Sequence, residues 1–160
     1  MKKLVIISDT HGKSEGVAAL SGILQENDYI VHLGDGASEI YKLLDEYPEK
    51  TYFCAGNCDF APHFPTRGEL EVEKLKIFYC HGHEYGVKSG LQSLARAAKS
   101  RDCVIALYGH THRADITEID GVTLINPGSF QRKVGSGGSY CYLVINGDKF
   151  TPVIVGESVY

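Results

Sequence analysis

The chain alternates between short unbroken apolar runs and longer stretches whose apolar positions recur every three or four residues. Leu4-Val-Ile-Ile, Tyr29-Ile-Val-His-Leu33 and Thr51-Tyr-Phe-Cys-Ala55 are too short for helices and read as strands buried on both faces. Between them, Ser14 to Asn27 places Val17, Leu20, Ile23 and Leu24 on one helical face. Ser14 is positioned to cap that helix, and Gly22 weakens its interior slightly. Glu39 to Tyr47 carries Ile40, Leu43, Leu44 and Tyr47 on one face, and Pro48 stops it. Strand, helix, strand, helix, strand at this spacing predicts right-handed βαβ units and a parallel sheet. In such sheets ligands collect beyond the C-terminal ends of the strands.

After an irregular stretch from Phe60 to Thr66, a candidate rim for a site, the pattern changes. Glu69 to Glu73 and Leu75 to Tyr79 alternate apolar and charged, which predicts a hairpin with one solvated face. Ser89 to Arg101 reads as a helix with Leu91, Leu94, Ala95 and Ala98 inward, and Cys103 to Tyr108 as another buried strand. Asp115–Ile119 and Val122–Ile125 flank Asp120-Gly121, a strong hairpin signal. Asn126-Pro-Gly-Ser129 reads as a tight turn, and a last hairpin runs from Tyr140 to Val155 around Asn146-Gly147. With no repeat, linker or low-complexity segment, the pattern predicts one domain over residues 1–160.

Composition narrows the classes. The net charge of −4 and the lack of any Lys/Arg block argue against a nucleic-acid-binding surface. No stretch approaches the length of a membrane span. The apolar start after Lys2-Lys3 is too short for a signal segment, and no small-residue cleavage site follows it. Five cysteines, an odd number set mostly in apolar runs, read as reduced core thiols, and the expected location is cytoplasmic. The absence of Cys-x2-Cys argues against structural zinc. The glycine-rich stretch 135–138 lacks both dinucleotide and P-loop signatures.

The chemistry lies where the strands end. Asp9 and His11, Asp35, Asn57, His81, and the pair His110 and His112 each follow an apolar run, with a glycine nearby. Taken singly, each has an ordinary reading: Asp9 as a turn or capping carboxylate, His11 and the His110/His112 pair as solvated residues. His32, inside its strand, reads as a packed core histidine. Taken together, two carboxylates, an amide and four imidazoles suit borderline divalent ions rather than an all-oxygen Mg²⁺ or Ca²⁺ site. Seven groups exceed one tetrahedral site and match two ions sharing a carboxylate. Two such ions and two aspartates leave net positive charge for an anion. A two-metal site of this kind activates a bridging water and clamps the oxygens of a phosphoryl group.

The order Asp-x-His (9–11), Gly-Asp (34–35), Gly-Asn-x-Asp (56–59), His-Gly (81–82) and Gly-His-Thr-His (109–112) resembles the calcineurin-like metallophosphoesterase superfamily. Within it, the chain is similar to the small YfcE-type phosphodiesterases. The resemblance implies a four-layer α/β/β/α sandwich of two mixed sheets flanked by helices. It implies one divalent ion held by Asp9, His11, Asp35 and His112, and a second held by Asp35, Asn57, His81 and His110, with Asp35 bridging. Mn²⁺ ranks ahead of Ni²⁺, Fe²⁺, Zn²⁺ and Co²⁺. A metal-bridging hydroxide would attack a phosphodiester, with Asn57 beside the phosphate. A phosphomonoesterase or nucleotide pyrophosphohydrolase, or a non-catalytic scaffold of the same fold, is the alternative. Larger superfamily members carry a histidine where this chain has Cys58, so leaving-group protonation is in question and alkyl monoesters should suffer most. Asp59 is expected to orient a ligand, and His63, His83 and Arg132 are candidate substrate contacts. The expected partner is a small phosphate ester, with self-association into dimers or larger assemblies left open.

Overall fold

The computed structural model describes residues 1–156. Its strands are β1 (Lys2–Ile7), β2 (Tyr29–His32), β3 (Thr51–Phe53), β4 (Arg67–Val72), β5 (Leu75–Cys80), β6 (Ile105–Leu107), β7 (Asp115–Ile119), β8 (Val122–Asn126), β9 (Ser139–Asn146) and β10 (Lys149–Gly156). Its helices are α1 (Glu15–Ala19), α2 (Ser21–Glu26), α3 (Ala37–Glu46) and α4 (Gln92–Lys99). Two mixed five-stranded sheets form, ordered β10-β9-β1-β2-β3 and β4-β5-β6-β8-β7. The expected parallel run β1-β2-β3 is present, and the last hairpin joins it through the antiparallel pairing of β9 with β1.

Strand periodicity assigns each side chain to a layer. Leu4 and Ile6 of β1, Ile77 and Tyr79 of β5, and Ile105 and Leu107 of β6 meet between the sheets with Leu143 and Ile145. Val5 and Ile7 turn outward onto Val17, Leu20 and Leu24 of the first helical segment and Leu43 of α3. Phe78, Ala106 and Leu124 turn outward onto Leu94, Ala95 and Ala98 of α4. This is the four-layer α/β/β/α sandwich.

Several boundaries differ from the sequence expectation. The helix expected over 14–27 is two short helices, because Leu20 N donates to Val17 O and tightens the turn there. Val17, Leu20 and Leu24 still face the sheet, and the Ser14 hydroxyl makes no capping bond. α3 starts two residues early because Asp59, from a distant loop, accepts from Gly36 N and Ala37 N at 3.0 Å each. α4 is shorter than 89–101, since Gly90 at φ +150° cannot belong to a helix. The solvated face expected for the β4/β5 hairpin holds only for β4, where Glu69 and Glu71 are exposed. β5 lies inside its sheet, and α4 covers Phe78 and Cys80. β3 stops at Phe53, and Ala55 leaves the ladder to donate to Pro65 O at 2.7 Å.

Candidate metal centre

Both sheets deliver polar side chains to one edge. The turns after β1, β2 and β3 carry Asp9, His11, Asp35 and Asn57, and those after β5 and β6 carry His81, His110 and His112. Six of these converge. His81 Nε2 lies 3.2 Å from Asp35 Oδ2 and 3.8 Å from Asp9 Oδ1. His112 Nε2 lies 3.2 Å from Asp9 Oδ1, and His11 Nε2 lies 3.6 Å from the same oxygen and 3.8 Å from Asp35 Oδ2. The ligating atoms fall into overlapping groups, Asp9/His11/His112 and Asp35/His81/His110, with His11, Asp35 and Cys58 between them.

The backbone is bent to achieve this. Asp9, His11, Asp35, His110 and His112 all have φ between 49° and 73°, in the left-handed region that non-glycine residues seldom adopt. The flanking glycines answer a different need. A Cβ at Gly56 would collide with the Asp35 carboxylate, and one at Gly109 with Ser8 Oγ and Asp9 Oδ2. The turns therefore interlock too tightly for any side chain at those points.

Hydrogen bonds aim the groups. Asp9 Oδ2 accepts from Ser8 Oγ at 2.6 Å and from His110 N at 3.0 Å. Asp35 Oδ1 accepts from Cys58 N at 2.8 Å. His81 Nδ1 donates to Leu33 O at 2.8 Å, which fixes the tautomer and leaves the Nε2 lone pair free. Asp59 accepts from the backbone N–H groups of Asp35, Gly36, Ala37 and Gly56. It holds the Asp35 turn through the main chain rather than the carboxylate. Buried Glu39 accepts from Gly12 N at 2.8 Å and so steadies the turn carrying His11.

Two polar atoms of the clustered ligands have no such partner. Asp9 Oδ1 and His81 Nε2 are buried and make no hydrogen bond. Orphaned buried acceptors are costly, and here both face the cluster, as a cation would require. Burial opposes charge on Asp9, but the adjacent His112 and His81 imidazoles and the Ser8 hydroxyl outweigh it and hold the carboxyl below its ordinary range. Asp35 is likewise pushed well down, burial being overcome chiefly by His81. Burial lowers His110, and nearby His81 lowers it further. His32 behaves as a core residue: fully buried, bonded to Thr10 Oγ1 and Gly34 N, and lowered to about 4 by desolvation.

The other candidates sort differently. Asn57 and Cys58 are exposed at the mouth, with Asn57 Nδ2 3.6 Å from the thiol. Burial and the Asp35 charge push the Cys58 thiol up, so it stays protonated. The His83 ring lies 5.4 Å from that of His81, with Nδ1 buried and unpartnered. Arg132 is exposed and lines a cleft of 340 Å³ with His112, Ser129 and Gln131. His63 is exposed on its loop and does not line the cleft beside Asn57. Sequence reasoning overlooked Asn126 and Ser129. Asn126 Nδ2 donates to Gly109 O and Thr111 Oγ1, and Ser129 Oγ donates to Asp9 O. Asn126 follows an apolar strand, the same cue that marked the other candidates.

Two facing mixed sheets bring carboxylates and imidazoles together at their strand ends, a donor set that suits divalent cations. The family model for the calcineurin-like phosphoesterase superfamily domain matches residues 1–148, and the chain belongs to that family. It is 32% identical over 151 residues to the probable metallophosphoesterase YsnB of Bacillus subtilis, covering 92% of this chain and 87% of that protein. It is 28% identical over 143 residues to a phosphodiesterase of Methanocaldococcus jannaschii, covering 79% and 82% respectively. Vps29 of Entamoeba histolytica, solved in complex with Zn²⁺, shares the fold with a TM-score of 0.80 at 21% identity, covering 95% of this chain and 91% of that one. Among the described residues, no helix is long and apolar enough to cross a membrane.

Proposed function

We propose that this protein is a two-metal phosphodiesterase acting on small phosphate esters, with Mn²⁺ as its preferred ion. The pair of orphaned atoms, Asp9 Oδ1 and His81 Nε2, is the observation that carries this reading. Each lies 3.2 Å from a carboxylate or imidazole of the cluster without hydrogen-bonding it, a spacing that suits neighbouring ligands around one cation. Asp9, His11 and His112 would hold one ion; Asn57, His81 and His110 would hold the other. Asp35 reaches both groups and would be shared. When bound, such a pair supplies a nucleophilic water of lowered pKa and a clamp on the phosphoryl oxygens.

The chain's own residues do the rest. Asp59 and Glu39 hold the Asp35 and His11 turns, so the carboxylates and imidazoles need no reorganisation when substrate arrives. Asn57, at the exposed mouth, would donate its amide to the phosphate. Cys58 carries no positive charge where an imidazolium would, which favours esters whose leaving group departs without a strong acid. The phosphodiesterase relative supports the same preference.

The test is metal analysis of the purified protein, paired with hydrolysis of bis(p-nitrophenyl) phosphate and p-nitrophenyl phosphate after chelation and Mn²⁺ addition. About two metals per chain and chelator-sensitive, diester-preferring turnover are expected. Faster monoester turnover would make it a phosphomonoesterase. No metal and no activity after repletion would make it a scaffold.

A further inference from the structure

Phe60 is 99% exposed, more than any other large apolar side chain among the described residues. Its loop is nonetheless well anchored. Phe64 is buried and packs its ring against Phe53 at 4.8 Å and Tyr41 at 5.1 Å. Phe64 N donates to Ala61 O, and Ala55 N donates to Pro65 O. Phe60 is therefore held out in water by an ordered loop, although burying such a ring would be worth about 1.5–3 kcal/mol. A complementary surface is to be sought beside it.

Phe60 borders two clefts that meet at the candidate metal centre. One, of 380 Å³, includes His11, Asp35 and Cys58. The other, of 530 Å³, has apolar walls at Ala61, Pro62 and Phe64, and reaches Asn57 and His83. That volume suits a small organic ligand, and Asn57, Asp59, Thr66 and His83 supply its polar groups. An ester whose phosphorus sits beside Asp35 and Asn57 can lay an apolar substituent along the Ala61–Phe64 wall, and Phe60 lines both clefts.

We propose that Phe60 is a specificity-determining residue whose ring packs on a planar aromatic arm of the phosphate ester, so that the substrate class is aromatic phosphoesters. This rests on the metal-centre reading above and adds the identity of the organic arm. The arm would lie along the Ala61–Phe64 wall, and the phosphate would stay with the polar cluster. Phe60 is none of the clustered ligands, so its replacement removes no group that would hold an ion.

The experiment measures binding of phenylphosphonate and methylphosphonate to the Mn²⁺-loaded protein by calorimetry, in wild type, Phe60→Ala and Phe60→Tyr. Wild type should prefer the phenyl compound. Phe60→Ala should cut the phenyl-to-methyl affinity ratio by about three- to tenfold, and Phe60→Tyr should retain it. An unchanged ratio in Phe60→Ala overturns the proposal. So does an altered sedimentation coefficient with an unchanged ratio, which would make Phe60 a contact between copies. Equal binding of both phosphonates by wild type overturns the aromatic-arm proposal alone, whereas no binding of either overturns the metal-centre reading beneath it.

Discussion

The two halves of the candidate centre are built to different standards. Asp35 and His81 are almost completely buried, Asp35 is fixed through its backbone by Asp59, and the His81 ring is locked onto Leu33 O. Across from them, the side chains of His11 and His112 are 27% and 43% exposed. Among the described residues, neither has its second ring nitrogen held by a carbonyl. The Asp35–His81 pair is pre-organised and dry, and the His11–His112 pair opens to water. An ion in the first would exchange slowly, and an ion in the second quickly, because ligand orientation and solvent access control metal affinity.

The strongest way to break this comparison is to remove the residue both halves share. Asp35→Asn should reduce bound metal below one per chain and lower diester turnover by about a thousandfold, the scale of several kcal/mol of lost charge stabilisation. Retained occupancy by elemental analysis would show that Asp35 is not shared. A sharper test sets the halves against each other. His81→Ala should weaken the tighter ion about tenfold to a hundredfold more than His112→Ala weakens the looser one, read by competition with a chromophoric chelator. Equal losses would erase the distinction.

Next comes the anchor of the dry half. Asp59→Ala strips four backbone donors of their acceptor and uncaps α3, and should cost about 3–4 kcal/mol in urea denaturation. A cost below ~1 kcal/mol would mean that water replaces the carboxylate. The smallest effect concerns the strut between the halves, His32, which touches Thr10 on one side and Gly34 on the other. The unfolded chain protonates this imidazole near 6.5 and the folded chain only near 4. The stability it contributes is thus complete above pH 6.5 and is lost as pH falls to 4, about 3 kcal/mol in all. His32→Gln should lose that much less stability than wild type between pH 7 and pH 4.

Position was legible from sequence where one rule governed it. Each candidate ligand follows a strand whose apolar run is forced by burial on two faces, so Asp9, Asp35 and His81 could be placed by reading the runs alone. What distance in sequence hides was not legible. The start of α3 depends on a carboxylate more than twenty residues away, at Asp59. The inner place of β5 depends on α4 and β6 covering what looked like a wet face. The left-handed turns at His110 and His112 carry no local signature, because interlocking with Ser8, Asp9 and Asn126 imposes them.

The order of the first sheet bears on how the molecule is made. β1 ends at Ile7, yet one of its two neighbours, β9, begins only at Ser139. At translation speeds of ~5–20 residues per second, Leu4 to Ile7 wait roughly ten seconds or more with one hydrogen-bonding edge bare and both faces apolar. The nascent chain therefore carries an adhesive edge until β9 has been made. Chains stalled before Ser139 are expected to aggregate more readily than chains that reach Asn146, because β9 is what covers that edge.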